Sequence, residues 1–373
     1  MSALNVGITG ANGFVGWHMR CFMSTLDDVI EVRTADRNTF ADPKKLDAFV
    51  DGLDIVFHLA GVNRADEQEL LDGNILPAKQ LIESMERVDC TPCVILSSST
   101  HAEEPVNAYG NGKAGAANVL FEWAENNGAR FINMIIPHVF GEYGRPFYNS
   151  GIATFCHQIV RGEQTTVNGN GQLELVHVQD LVEEMFAAFK KGGSGDIRVS
   201  GHAIRVAEAE AVLQNLWHTY RVQGQLPDLS DCFQRSLFNS LRGAMQNDDR
   251  MSTPKKHSDE RGWLIETVKA GSAGQCFVST TRPGITRGNH FHRRKVERFF
   301  VLQGQAEIRL RKLFTDEVIT YKLDGNHPSF VDIPTLHTHS ISNIGDSELI
   351  TLFWSNEFFD PEKSDTYFEP VLR

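Results

Sequence analysis

Four side chains in the last third of the chain have the types and spacing of a metal site. His290 and His292 stand two residues apart in GITRGNHFHRRKVERFFVLQG, with Glu297 after them, and His339 follows in PTLHTHSISN. In a β-strand, side chains two apart point to the same face, so both imidazoles converge while Phe291 turns away. Imidazoles with a carboxylate suit a first-row divalent ion. The chain holds 14 histidines, so an isolated His-x-His carries little; a run of fixed positions in order carries more. His337, two residues before His339, is a candidate for proton transfer only by proximity, and a loop histidine would read the same way.

A second set lies nearer the N-terminus. NAYGNGK places Tyr109 and Lys113 four residues apart, on one face of a helix, downstream of Ser99 at the end of CVILSSST. An ordinary tyrosine titrates near ~10 and is a poor acid or base at neutral pH. A nearby lysine cation favours the phenolate and lowers that value. Ser99 would hydrogen-bond the same substrate oxygen.

Both sets need elements to hold them. LNVGITGANGFVG reads as a strand running into a turn at Gly10, Gly13 and Gly16. The first glycine permits a tight turn, the second lets backbone approach a pyrophosphate, and the third lets helix and strand pack closely. VIEVRTADR, DIVFHLAGVNR and CVILSSST read as further strands, with helical LDAFVDGL and ILPAKQLIESMERV between them. The alternation predicts an α/β fold with a doubly wound parallel sheet of Rossmann type. GGSG at 192–195 is a loop, because sheet-like residues resume at DIRVSG. Polar, aperiodic MQNDDRMSTPKKHSDE marks the boundary between a first domain, 1–246, and a second, 257–373. Beyond it QCFVSTTRPG, ERFFVLQGQAEIRLR, EVITYKL, SFVDIP, HSISNIG and ELITLFWSNEFF alternate as strands between turns, as DERGWLIETVK does before them. That series predicts a closed antiparallel barrel.

Bulk properties narrow the function classes. A chain of 373 residues has room for two domains, and 41% hydrophobic content is ordinary for a globular protein. A net charge of −12 argues against nucleic-acid binding. No apolar run approaches the ~20 residues that span a bilayer, and the start lacks a signal-peptide pattern. Six irregularly spaced cysteines do not form a disulfide framework, and Cys90 and Cys93 enclose Pro92 just before a strand. A reduced, cytoplasmic location is expected.

The pattern G-x5-H-x-H-x4-E-x6-G followed by P-x4-H-x3-N resembles the two motifs of the cupin barrels. The resemblance implies an all-β cupin domain whose His290, His292, Glu297 and His339 bind the metal, with zinc the expected ion. TGANGFVG, DIVFHLAG, LSSS, YGNGK and VHVQDLV resemble an extended short-chain dehydrogenase/reductase, over residues 3–245. This second resemblance implies catalysis by Ser99, Tyr109 and Lys113. It also places Gly10, Gly13, Phe14, Gly16, Leu59, Ala60 and Lys113 along the cofactor, and Asn149 and His138 toward the substrate. Two departures stand out. His138 sits in PHVFG where relatives often carry Asn, and Ser99, Thr100 and His101 replace the Thr-Asp-Glu of the dehydratases, so dehydration is not expected. Gly110 and Gly112 flank the helix start at up to about 1 kcal/mol each in propensity, so packing must hold it. Asp36 would take a ribose 2′-hydroxyl and favour NAD, whereas Arg33 and Arg37 would meet a 2′-phosphate. The resemblance favours NADPH.

VNRADEQE, YNSGIATFCH, DERGWLIE, PGITRGNHFH and NEFFDPEKSDTYFEPV extend the likeness to nearly the whole chain. Together they resemble the bifunctional capsule and O-antigen enzymes, of CapF type, in UDP-N-acetyl-L-fucosamine biosynthesis. That implies C3 epimerisation of a UDP-2-acetamido-2,6-dideoxy-4-hexulose in the cupin domain. Reduction of C4 with NADPH would follow in the first domain, giving the L-talose sugar nucleotide. It also implies a homodimer or higher homo-oligomer, without nucleic-acid or membrane partners. Three other readings remain: an NAD-dependent sugar-nucleotide 4-epimerase with a structural cupin, a non-catalytic redox or ligand sensor, and a dioxygenase using iron and oxygen.

Overall fold

The computed structural model describes residues 4–167, 171–253, 257–259, 262–264, 268, 274–357 and 362–373. Parts of the boundary segment, of the DERGWLIETVK strand and of NEFFDPEK lie outside the described residues. The chain divides into two compact units, residues 1–154 with 168–207, and residues 155–167 with 208–373.

The first half runs β1 (Leu4–Thr9), α1 (Phe14–Met23), β2 (Val29–Ala35), α2 (Arg37–Phe40), α3 (Pro43–Val50), β3 (Ile55–His58) and α4 (Glu67–Arg87). It continues through β4 (Cys93–Ser97), α5 (Ala108–Asn127), β5 (Phe131–Ile135), β6 (His138–Phe140), α6 (Gly151–Val160), β7 (Gln172–His177), α7 (Val178–Lys191), β8 (Gly195–Arg198) and β9 (His202–Arg205). Six strands form a sheet in the order β2-β1-β3-β4-β5-β8, and its ladders are parallel, as expected. Successive side chains serve opposite faces. Ile55 and Phe57 join one core with Val6, Met19 and Ile132. Val56 joins the other with Leu81, Leu120 and Trp123. Burial on both faces is why these strands read as continuous apolar runs. The strand order reverses between β1 and β3, and a crevice at such a reversal receives ligands at the carboxyl ends of the strands.

The second half holds α8 (Val206–Trp217) and α9 (Cys232–Gly243), then β10 (Met251–Ser252), β11 (His257–Asp259), β12 (Gly262–Leu264), β13 (Gln275–Thr281), β14 (Thr286–Phe291) and β15 (Glu297–Gln303). The remaining strands are β16 (Gln305–Lys312), β17 (Val318–Asp324), β18 (Phe330–Ile333), β19 (His337–Asn343), β20 (Leu349–Ser355) and β21 (Tyr367–Phe368). Two five-stranded sheets result, β10-β18-β15-β20-β13 and β17-β16-β19-β14-β21, beside the hairpin β11-β12. Among the described residues no ladder joins the edges of the two five-stranded sheets. Side chains join them instead: Phe299, Val301 and Phe353 of one share a core with Ile308, Leu310 and Ile341 of the other. Residues 208–246 belong to this unit because their polar groups are buried on β18. Tyr220 donates to Asp332, and Arg242 donates to the Ile333 carbonyl at 3.1 Å.

Candidate active site and metal centre

At the crevice Gly10 takes a left-handed φ of 65°. A Cβ there would lie 2.8 Å from the Ala60 nitrogen, and one on Gly16 would overlap the Gly10 carbonyl. Glycine alone lets the turn and α1 close on β3. Gly13 caps α1 without a side-chain acceptor, which leaves first-turn N–H groups for an anionic ligand. Thr9 Oγ1 pins β1 to β3 by accepting from the Leu59 and Ala60 N–H groups, 3.1 Å each. Its hydroxyl donates to His58 Nδ1 at 2.9 Å. Phe14 opens α1 and sits edge-on to His18, ring centroids 5.3 Å apart.

Arg33 and Arg37 part company. Arg33 donates to the Asp51 carbonyl at 2.5 Å and pairs with Glu31 at 3.0 Å. Its guanidinium is spent on the end of α3, so the expected phosphate contact from Arg33 is not the one this conformation offers. Asp36 is also occupied, as the N-cap of α2 in a reciprocal box with Thr39. Arg37, the first residue of α2, remains at the end of β2.

The helix α5 is capped by Asn107, whose side chain accepts from the Gly110 N–H at 2.8 Å. Ser99 caps the short helical turn Thr100–Ala102 and hydrogen-bonds Tyr109. Lys113 donates to the Ser97 carbonyl at 2.9 Å, with its ammonium 5.9 Å from the centre of the Tyr109 ring. Ser99, Tyr109 and Lys113 therefore meet. Burial pushes the Lys113 ammonium down to about 8. Burial also raises the Tyr109 hydroxyl, and the Ser99 hydrogen bond only partly opposes it. The expected lowering of Tyr109 is thus not seen, because burial of its own hydroxyl is the larger effect. The His101 ring lies 5.9 Å from the Tyr109 ring and 6.5 Å from that of His138. Asn149 is exposed in the turn before α6, where Arg64 holds the Phe147 and Tyr148 carbonyls at 2.9 and 2.8 Å.

Asn74 was not legible. Buried on α4, it donates to the Val62 and Leu70 carbonyls, 2.7 Å each, while its Oδ1 has no hydrogen-bond partner. A Cβ on Gly61 would touch both Asn74 Oδ1 and, at 3.2 Å, the Lys113 amine. This unpartnered acceptor and the Lys113 amine thus both lie against Gly61, and no local spacing links residue 74 to residue 113.

In the second unit the four expected ligands converge. One donor atom from each of His290, His292, Glu297 and His339 lies within 4.8 Å of the others. His292 Nδ1 faces the Asp365 carbonyl at 2.5 Å and His339 Nδ1 faces the His337 carbonyl at 3.2 Å. A carbonyl only accepts, so both Nδ1 atoms carry protons, which leaves each Nε2 to face Glu297. The two Nε2 atoms lie 2.9 and 3.4 Å from Glu297 Oε2. His339 Nε2 is buried with no hydrogen-bond partner. Burial would raise the Glu297 carboxyl, but the adjacent His292 and His339 imidazoles hold it well below its usual range. Burial and the neighbouring imidazoles push His290 down to about 3, which keeps its ring neutral. Three imidazole nitrogens and a carboxylate oxygen converging on one largely buried point are a donor set that fits a divalent ion. His337 is buried and pushed to about 3. Its visible contribution is the carbonyl that orients His339.

A doubly wound sheet with a glycine turn at its switch point and Ser, Tyr and Lys beside it is the build of a short-chain dehydrogenase/reductase. Sequence comparison matches residues 6–201 to the NAD dependent epimerase/dehydratase family and residues 257–367 to the polysaccharide biosynthesis C-terminal domain. The chain belongs to the NAD dependent epimerase/dehydratase family. It is 30% identical over 369 residues to UDP-2-acetamido-2,6-beta-L-arabino-hexul-4-ose reductase of Pseudomonas aeruginosa, covering 98% of each chain. The crystal structure of the capsular polysaccharide assembling protein CapF from Staphylococcus aureus matches 99% of this chain and all of its own at 31% identity and TM-score 0.62. RMD from Pseudomonas aeruginosa, solved with NADPH, shares the fold at 18% identity and TM-score 0.57 over 65% of this chain and 98% of its own. Among the described residues no helix is long and apolar enough to cross a membrane.

Proposed function

We propose that this chain is a bifunctional UDP-sugar enzyme that epimerises C3 of UDP-2-acetamido-2,6-dideoxy-4-hexulose and then reduces C4. The product is UDP-2-acetamido-2,6-dideoxy-L-talose, for UDP-N-acetyl-L-fucosamine synthesis. Reduction is assigned to the first unit, residues 1–154 with 168–207 rather than the expected 1–246, and epimerisation to residues 257–373 of the second, whose paired sheets we read as a cupin. The carrying observation is that the Ser99, Tyr109, Lys113 set and the His290, His292, Glu297, His339 set occur in one chain, each in its own compact unit. The name of the Pseudomonas aeruginosa relative supports a sugar nucleotide with a keto group at C4.

For reduction, Tyr109 is the proton donor: burial keeps its hydroxyl protonated at neutral pH. Ser99 holds the C4 oxygen beside that hydroxyl. Lys113, lowered to about 8, still carries its charge at pH 7 and offsets the phenolate left by proton transfer. The uncapped first turn of α1 and Arg37 would hold the pyrophosphate and 2′-phosphate of NADPH, which would supply the hydride. For epimerisation, the C3 hydrogen is acidic because the C4 carbonyl delocalises the charge left behind. A divalent ion, zinc by expectation, would supply Lewis-acid polarisation of that carbonyl. His290, His292 and His339 would hold it through ring nitrogens, and Glu297 would neutralise part of its charge. The resemblance to the capsule and O-antigen enzymes supports a cytoplasmic homodimer or higher homo-oligomer.

The test is incubation of the full chain with NADPH and the UDP-4-keto sugar in deuterated buffer, following absorbance and product by NMR. Stoichiometric NADPH oxidation with deuterium at C3 is expected. Turnover to a C4-epimerised sugar without net reductant would instead favour the NAD-dependent 4-epimerase.

A further inference from the structure

We infer that Asp365, in the C-terminal tail, is a positioning residue of the metal centre. The inference rests on the metal reading above and names a residue that supplies no ligand atom. Asp365 is 2% exposed. Its Oδ1 accepts from the Arg293 N–H at 3.2 Å, and its Oδ2 accepts from the Arg294 and Lys295 N–H groups at 2.9 Å each. Three successive amides folded around one carboxylate make an anion nest. This nest is the loop between the ligands His292 and Glu297. The carbonyl of the same residue takes the His292 Nδ1 proton at 2.5 Å. One residue thus sets the tautomer and tilt of one ligand and the path of the chain to the next.

The tail is anchored well enough to act as a support. β21 pairs with β14 at His290 and Phe291. The Glu369 N–H donates to the Asn289 carbonyl at 2.9 Å, and the Val371 N–H donates to Asn289 Oδ1 at 3.2 Å. Asn289 is a left-handed residue, φ 59°, at the irregularity that aims His290. Arg311, 1% exposed, holds the Pro370 and Val371 carbonyls at 2.7 and 2.8 Å.

Full-length parent, Asp365→Ala and Asp365→Asn are stripped with a chelator and titrated with Zn²⁺ against a chromophoric competitor. Each is then loaded with Co²⁺ for its visible spectrum. Asp365→Ala should bind Zn²⁺ about 10- to 100-fold more weakly than the parent and shift the Co²⁺ bands, as loss of a group behind a ligand does. Asp365→Asn, which keeps one acceptor oxygen and the volume, should fall between. A parent that takes up no Zn²⁺ overturns the metal reading and this inference with it. A parent that binds, with both variants at parental affinity and spectrum, overturns the inference alone. Where Asp365→Ala does not fold, Asp365→Asn decides. Weaker binding at an unchanged metal-free melting temperature sustains the role, and parental binding ends it.

Discussion

Burial moves Lys113 from 10.5 to about 8, so the folded chain releases a proton that the unfolded chain keeps up to its ordinary value. The folded state is penalised below pH 8, and stability recovers as pH rises from 8 to 10.5. A shift of this size corresponds to about 3 kcal/mol. Lys113→Met should therefore melt a few degrees above the parent at pH 7 and lose C4 reduction, with the difference shrinking by pH 10. The lost hydrogen bond to Ser97 costs about 1 kcal/mol and does not reverse the sign. Melting curves at the two pH values check it, and a variant less stable at pH 7 would show that desolvation is not the larger effect. Neighbouring residues divide the cofactor choice. Arg37→Ala should cut kcat/KM for NADPH about tenfold or more with little change for NADH, whereas Arg33→Ala should leave the ratio between them unchanged. Tyr109 and Lys113 were legible as a pair because four residues is one helical turn, and His290 and His292 because two is the strand repeat. The commitment of Arg33 to the end of α3 was not, because its partners lie 15 and 18 residues away with no period connecting them.

The helix α5 shows how an element can violate its own propensity. Helix propensity alone makes Gly112→Ala a gain of up to about 1 kcal/mol. Packing says otherwise: a Cβ on Gly112 would sit 2.6 Å from the Leu70 carbonyl and 3.3 Å from the Asn74 Cβ. Both belong to α4, so helix backbone must shift. Overpacking of this kind costs about 1–3 kcal/mol, and the expected outcome in urea unfolding is a net loss of about 1–2 kcal/mol. A stabilised Gly112→Ala would mean that α4 and α5 slide freely past each other. On Gly110 a Cβ would overlap the His101 carbonyl, which ties the start of α5 to the turn that Ser99 caps. The sequence shows these glycines only as a propensity cost, since the partner helix that demands them is not adjacent in the chain. The alternation of β16 and β15 was readable for the converse reason, each strand carrying its own two-residue period. How those strands assemble depends on edges, and edges leave no period, so the two separate sheets did not show in the sequence.

At the scale of the whole molecule, two sets of chemistry-bearing residues sit in two compact units, and their activities should be separable by mutation. Tyr109→Phe removes the one hydroxyl proton that C4 reduction uses and leaves volume, helix and metal ligands in place. NADPH oxidation should fall at least ~10²-fold, the usual loss on removing a general acid. Exchange of the C3 proton into deuterated solvent should continue at the parental rate. His290→Ala is the reciprocal case. It leaves at most three of the four donors, so metal occupancy and C3 exchange should fall together, while reduction of an already epimerised 4-keto sugar continues on Ser99, Tyr109 and Lys113. Because a bound ion can also supply folding energy, the His290→Ala protein is melted alongside its activity assays. Glu297→Gln, which keeps the side-chain volume, replaces it if the C-terminal half unfolds. A folded Tyr109→Phe protein that loses both activities would refute the assignment of separate sites. A folded, metal-free His290→Ala protein that still exchanges C3 at the parental rate would show that the ion supports the fold rather than the carbonyl.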